Sequence, residues 1–258
     1  MPRFSANLGF LWADRPLLAR IAAAGEAGFR AIELHYPYET PPQAVRDACA
    51  QTRVKLLGIN TAIGSEPPDS GLAALPGREA EARARIEAAL NYAVAAGGTA
   101  VHVMAGKVPS ELRAKARQTL ISNLRHAAGR AEALGLTILL EPINRRDMPD
   151  YFYDGVEDAA AIIAELDSPA VRLMFDCYHV GVMQGDVLTR LRTHLPIIGH
   201  IQFAAVPSRA EPDEGELNYP AIFAEIDRLG YAGWVGAEYR PRADTDDGLG
   251  WFRASRTR

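Results

Sequence analysis

Short apolar runs alternate with longer amphipathic stretches from one end of this chain to the other, and the alternation repeats eight times. That pattern constrains the fold more than any other feature, because strands joined each time by a helix must lie parallel in one sheet. The strand candidates are Phe4 to Gly9, Ala31 to Leu34, Lys55 to Asn60, Ala100 to Met104, Thr137 to Glu141, Arg172 to Asp176, Ile197 to Phe203 and Val235 to Glu238. Of the helices between them, the clearest runs from Arg78 to Ala96, where Ala80, Ala84 and Ala88 recur at helical spacing and Gly97-Gly98 stops the run. A second runs from Ser110 to Leu134, with Ser110 after Pro109 as its cap and Gly135 as its end. Sharing 258 residues among eight units leaves about 32 for each, enough for a strand, a helix and two short loops. The sequence therefore predicts a single (β/α)8 barrel over residues 1–258, with no Pro/Ser-rich linker to divide it. No G-x-G-x-x-G follows a strand, which leaves a dinucleotide-binding sheet without support.

A barrel needs a large core, and 48% hydrophobic against 23% charged residues supplies one while excluding disorder. The 28 basic and 32 acidic residues leave a formal charge of −4 and no Lys/Arg block to neutralise phosphates, so nucleic acid and anionic membrane are unsuited as partners. Cys49 and Cys177 are too few for a disulfide scaffold or a thiolate metal site and fit a reducing cytoplasm. The start, MPRFSANLGFLWADRP, holds an apolar run too short for a secretory signal, and no stretch is apolar for long enough to cross a membrane. The expectation is a cytoplasmic protein acting on a small molecule, with a homo-oligomer left open.

Chemistry concentrates where the late strands end. Glu141 closes TILLE, Asp176 closes VRLMFD, Gln202 falls near the end of IIGHIQF and Glu238 closes GWVGAE. In such a barrel the C-terminal strand ends share one mouth, which would bring these four side chains together. Any one of them alone could be a helix cap or a turn residue. Three packed carboxylates repel unless a cation sits between them, and an all-oxygen set suits Mg²⁺ or Mn²⁺ better than Zn²⁺. Two long loops rich in Pro, Gly and acidic residues, Gly64 to Gly77 and Val206 to Asn218, are candidate lids or binding loops.

The segments NLGFLWADRPLLARIAAAGEAGFRAIEL, VHVMAGKVP, ILLEPIN, FDCYHV, HIQFAAVPSRAEPDEGELNYPAIF and GWVGAEYRP with GLGWF resemble the hydroxypyruvate isomerase family. That family includes the 2-oxo-tetronate isomerases and belongs to the xylose-isomerase-like TIM barrels. The resemblance covers essentially the whole chain and implies Glu141 and Glu238 as the catalytic pair. It also implies Glu141, Asp176, Gln202 and Glu238 as ligands of a divalent cation, and a substrate contact at His179, three residues after Asp176. A Gly181 stands two residues after DCYH, where the family pattern carries Gln.

The residues support that chemistry independently. Moving a carbonyl to the adjacent carbon takes a proton from one carbon and returns one to its neighbour through an enediol, work for two opposed carboxylates. The expected reaction converts hydroxypyruvate to tartronate semialdehyde; a 2-oxo-tetronate, a ketose 3-epimerisation or another sugar isomerisation are the alternatives. Arg209, a cation among the acidic residues of SRAEPDEGE, suits a substrate carboxylate, with pairing to Glu211 or Asp213 as the plainer role. Lys107, after the fourth strand, is a second candidate for that carboxylate. His102 and His200 read as hydrogen-bonded core histidines, and Phe10, Trp12, Tyr36 and Tyr239 as borders of the mouth. Cys177 is no nucleophile, because alternation turns it away from the mouth.

Overall fold

Every apolar run becomes one strand of a closed parallel sheet in the computed structural model, which describes residues 1–64 and 70–255. The strands are β1 (Arg3–Asn7), β2 (Ala31–Glu33), β3 (Lys55–Asn60), β4 (Ala100–His102), β5 (Thr137–Leu140), β6 (Val171–Asp176), β7 (Ile198–Phe203) and β8 (Trp234–Ala237). They pair in sequence order and β8 closes on β1 through Arg3–Trp234 to Ala6–Ala237, so the single (β/α)8 barrel stands. Around it run α1 (Leu17–Ala27), α2 (Pro42–Thr52), α3 (Glu79–Ala96), α4 (Arg113–Leu134), α5 (Val156–Leu166), α6 (Cys177–Met183), α7 (Val187–His194) and α8 (Tyr219–Arg228). Two short helices, α9 (Thr245–Gly248) and α10 (Gly250–Ser255), follow β8. Among the described residues no helix is long and apolar enough to cross a membrane.

Several details differ from expectation. The strands β1, β2, β4, β5 and β8 leave the ladder one or two residues early, so Glu141 and Glu238 stand just past its rim rather than inside it. Helix α3 forms where expected, but its buried face is Ala82, Ile86, Ala89, Leu90 and Ala93, while Ala80, Ala84 and Ala88 are exposed. Ser110 makes no cap: its hydroxyl meets Glu111 at 3.3 Å, and Ser110–Leu112 form a 3₁₀ turn ahead of α4. Gly97 and Gly135 end α3 and α4 in the left-handed conformation, as their positions predict.

The apolar core lies between sheet and helices, where Phe4 packs edge-on against Phe203, Phe223 and Trp251, and Phe252 of α10 stacks on Phe29 at 4.0 Å. Inside the barrel the floor is a small separate cluster of Ala100, Leu139 and Met174. Above it the interior turns polar, with Ser5, Glu33, His200 and Gln202 all buried. Gly236 is required there, since a β-carbon at that position would lie 2.2 Å from Glu33 Oε1.

Of the two candidate lids, residues 65–69 of the first lie outside the described residues. The second is already fastened across the mouth. Arg209 N–H donates to Ala205 O at 2.8 Å, Arg240 N–H to Arg209 O at 2.7 Å, and Glu216 N–H to Val206 O at 2.8 Å. Trp12 and Tyr239 belong to packing rather than to the mouth: the Trp12 indole donates to Asp246, and the Trp251 indole to the Tyr239 hydroxyl.

Candidate active site

The rim of the barrel brings Glu141, Asp176, His179 and Glu238 so close that one ligand-type atom from each falls within 4.8 Å of the others, and all four are buried. Asp176 ends β6 and is the N-cap of α6, where its Oδ1 accepts the Tyr178 N–H at 2.8 Å and its Oδ2 remains free to face the cluster. Gln202 lies directly across the ladder from Asp176. Its Nε2 donates to Glu33 Oε2 at 2.8 Å, so its Oε1 is turned away from Glu33.

The two glutamates live in opposite environments. Glu238 Oε1 accepts from Asn7 Nδ2 at 2.9 Å and stands 3.0 Å from His35 Nε2, while Oε2 accepts from the Arg209 guanidinium at 3.1 Å. Burial pulls its pKa upward, but the His35 hydrogen bond and the Arg209 charge prevail and bring it down to about 2. Glu141 has no such support: Oε2 is 3.4 Å from His102 Nδ1, Oε1 is 3.5 Å from His179 Nε2, and Oε1 has no hydrogen bond. Burial, then the charges of Glu238 and Asp176, push its pKa well above the carboxylate range. Asp176 is raised to about 8, again by burial first and by Glu238 second.

His179 takes its tautomer from its neighbours. The Asn144 backbone N–H points at Nδ1 from 3.2 Å and the Asn144 amide lies 2.7 Å from the same atom, so Nδ1 accepts and Nε2 carries the proton. Burial and then Arg209 lower its pKa to about 3, leaving a neutral ring. Its N–H stands 3.5 Å from both Glu141 and Asp176, a donor rather than a metal ligand in this tautomer.

Three buried oxygens, Glu141 Oε1, Asp176 Oδ2 and Gln202 Oε1, have no hydrogen-bond partner. Orphaned acceptors of this kind, beside carboxylates that raise one another's proton affinity, fit a divalent cation held by oxygen. The residues expected to hold it from sequence, Glu141, Asp176, Gln202 and Glu238, are therefore chemically suited, and Mg²⁺ or Mn²⁺ matches their hardness.

Arg209 points into the site rather than toward Glu211 or Asp213. Those two, with Glu214, are taken by Arg242 at 3.0, 2.7 and 2.7 Å. Arg209 bridges Glu238 and Asp147, at 3.1 and 3.0 Å, and lies 4.9 Å from the ring centres of both Phe10 and Tyr178. Burial opposes its charge, but Glu238, Asp176, Glu141 and Asp147 hold it protonated. Lys107 is half-buried and pairs by its backbone with Tyr151; among the described residues no ion pair joins its ammonium to the cluster. Cys177 is buried with its thiol pKa pushed up by burial, as expected of an inert position.

Asn7, Glu33, His35, Asn144 and Asp147 touch the site residues and were missed from sequence. A signal for the first two existed. The early strands also finish on polar residues, Asn7 on β1 and Glu33 on β2, the same feature that marked the late strands.

A closed eight-stranded barrel with a buried acidic group at its C-terminal rim defines a TIM-barrel enzyme. A family model of the xylose isomerase-like TIM barrel matches residues 21–255. The 2-oxo-tetronate isomerase of Cupriavidus necator is 47% identical, over 98% of this chain and 98% of its own. The hydroxypyruvate isomerase of Escherichia coli is 34% identical, again over 98% of each. A crystal structure from Brucella melitensis, of a protein described as an AP endonuclease of family 2, is 38% identical with a TM-score of 0.96, covering 98% of this chain and 99% of that one. The chain belongs to the xylose isomerase-like TIM barrels and, within them, to the hydroxypyruvate isomerase family; it is an isomerase.

Proposed function

We propose that this isomerase shifts the carbonyl of a short 2-oxo-3-hydroxy acid from C2 to C3 by enediol proton transfer between Glu141 and Glu238. The opposed proton affinities of these two buried glutamates carry the reading, because a pair pushed apart in this way divides the work of base and acid. Glu141, the stronger base, takes the C3 proton, and the C3–H electrons form the C2–C3 double bond as the C2 oxygen becomes an oxyanion. Glu238 takes the C3 hydroxyl proton, a carbonyl forms at C3, and C2 is protonated by Glu238, which is the stronger acid once it carries a proton. Glu141 returns its proton to the C2 oxygen. Both glutamates end as they began, and the atoms balance. A divalent cation held by Glu141, Asp176, Gln202 and Glu238 would supply the charge that keeps both glutamates ionised and stabilises the enediolate oxygens. The His179 N–H is a donor for a substrate oxygen beside Glu141.

An acid substrate is supported by Arg209 and Arg240, whose guanidinium carbons lie 4.9 and 5.5 Å from the Phe10 ring centre at the mouth. Hydroxypyruvate, which yields tartronate semialdehyde, is the smallest such acid. A 2-oxo-tetronate has the same reacting carbons with one more CH₂OH, and the 47% identity to the Cupriavidus necator enzyme favours it as the second reading. The solved 3-epimerases of ketoses share the fold at 17–20% identity, and that likeness carries no substrate. A DNA-repair role is disfavoured by the charge of −4 and by a cluster that holds one histidine among the described residues. We place the activity in the cytoplasm, where the buried thiols of Cys49 and Cys177 stay reduced.

Arg209 gives the test of substrate class. A charge-assisted hydrogen bond is worth roughly 1.5 to 3 kcal/mol, so Arg209→Ala should raise KM about 10- to 100-fold for the acid. Arg209→Lys should recover part of that loss, lacking the planar fork. Steady-state kinetics on the acid and on its neutral reduced analogue decide: equal losses would make Arg209 structural and point to a neutral sugar.

A further inference from the structure

We infer that Glu33 is a positioning residue that fixes the side-chain amide of Gln202 with its oxygen toward the carboxylate cluster. An amide has two nearly isosteric ends, and only its surroundings decide which faces where. Glu33 Oε2 accepts from Gln202 Nε2 at 2.8 Å; the flipped amide would set two acceptor oxygens against each other. The chosen orientation leaves Gln202 Oε1 buried and without a hydrogen-bond partner, like Glu141 Oε1 and Asp176 Oδ2 at the ends of the two preceding strands.

Glu33 is itself held in place. Ser5 Oγ donates to its Oε1 at 2.7 Å, and His200 Nε2 lies 2.9 Å from its Oε2. The missing side chain of Gly236 makes the room it occupies, because a β-carbon there would sit 2.2 Å from Oε1. Packing alone does not fix the amide. Below it a cavity of about 170 Å³, lined in part by Asn7, Glu33, His102, His200 and Gln202, gives these side chains space to turn. The hydrogen bond, not the walls, selects the orientation. Glu33 makes no hydrogen bond or ion pair with the three cluster carboxylates among the described residues; its charge also acts on Glu141 and Asp176 through space, and Glu33→Gln, which removes the charge and keeps the acceptor, separates that effect from the hold on Gln202. The inference rests on the proposal that Gln202 and the carboxylates hold a divalent cation.

The test is a Mn²⁺ titration of the purified full-length protein followed by electron paramagnetic resonance, on wild type, Glu33→Met, Glu33→Gln, Gln202→Ala and the Glu33→Met/Gln202→Ala double variant. Loss of an outer partner of a ligand typically weakens metal binding roughly 10- to 100-fold, and Glu33→Met should fall in that range. Glu33→Gln keeps an oxygen that can accept from Gln202 and should stay within about threefold of wild type. In the Gln202→Ala background, Glu33→Met should cost less than about twofold more, because the pathway is already cut. Were Glu33→Met not to fold, Ser5→Ala takes its place, with a loss of about threefold that vanishes in the Gln202→Ala background. A loss of the same size in both backgrounds would overturn the inference by making Glu33 merely structural. Wild-type affinity in Glu33→Met would overturn it while leaving the metal site intact, and no Mn²⁺ binding by wild type would overturn both.

Discussion

Glu141→Gln and Glu238→Gln should each lower kcat by on the order of 10² to 10⁴, the usual cost of removing a positioned acid or base. The two losses should differ in character. Glu141 makes no hydrogen bond through Oε1 and lies amid other carboxylates, so its amide relieves repulsion and the variant should be at least as heat-stable as wild type. Glu238 accepts from Asn7, His35 and Arg209, and its amide cannot accept from all three while also presenting an NH₂ group. Glu238→Gln should therefore lose stability together with activity, by about 1 to 3 kcal/mol for the unmatched buried donor. Stopped kinetics and thermal melts on the same samples check both, and near-normal turnover in either variant would sink the two-glutamate mechanism.

Removing the cation should come next in size. Stripping with a chelator is expected to lower kcat/KM by at least about 10², since the metal's share of such a barrier is several kcal/mol. Asp176→Ala should match that loss and abolish Mn²⁺ binding, although Asp176 moves no proton in the reaction. A pH signature follows from the raised carboxylates. The metal-free Asp176, with its pKa raised to about 8, keeps a proton at neutral pH that a cation must displace, and Glu141 is raised as well. Calorimetric affinity should then climb with pH from neutrality to at least about 8 as these protons are lost. The sign for stability is opposite in the metal-free protein. Below about pH 6.5 the unfolded chain takes up protons on His102 and His179, whose folded pKa values are lowered to about 4 and 3, so the excess of protons in the folded state, and the fall of its Tm with rising pH that Mn²⁺ should reverse, belong to the window from about pH 6.5 to 8. A flat affinity profile would mean the cluster is already ionised.

The barrel was legible because an eightfold alternation admits few topologies, and the late strand ends were legible because four successive strands close on an oxygen-bearing side chain, although any one of them alone could have been a cap, as Asp176 also is. What failed was finer. Alanine is indifferent to burial, so Ala80, Ala84 and Ala88 could not tell which face of α3 packs, whereas Ile86 and Leu90 could have. Ser110 has the chemistry of a cap, but its hydroxyl is drawn to its neighbour Glu111. The contacts of Glu238 with Asn7, 231 residues earlier, and with His35 arise from barrel closure, which no local pattern encodes. Arg209 was ambiguous for a similar reason: its release from the acidic loop depends on Arg242, which reaches back from beyond β8 to neutralise Glu211, Asp213 and Glu214.

The most direct measurement is proton NMR of the purified protein in D₂O with Mg²⁺, incubated separately with hydroxypyruvate, a 2-oxo-tetronate and a neutral ketose. Mg²⁺ is used because it does not broaden the spectra. An acid should be converted to its C3-carbonyl isomer with deuterium at C2, Glu141→Gln should end both conversion and exchange at C3, and the ketose should stay unchanged. Turnover of the ketose with both acids inert, or an acid converted with no solvent deuterium at C2, would contradict the proposed function.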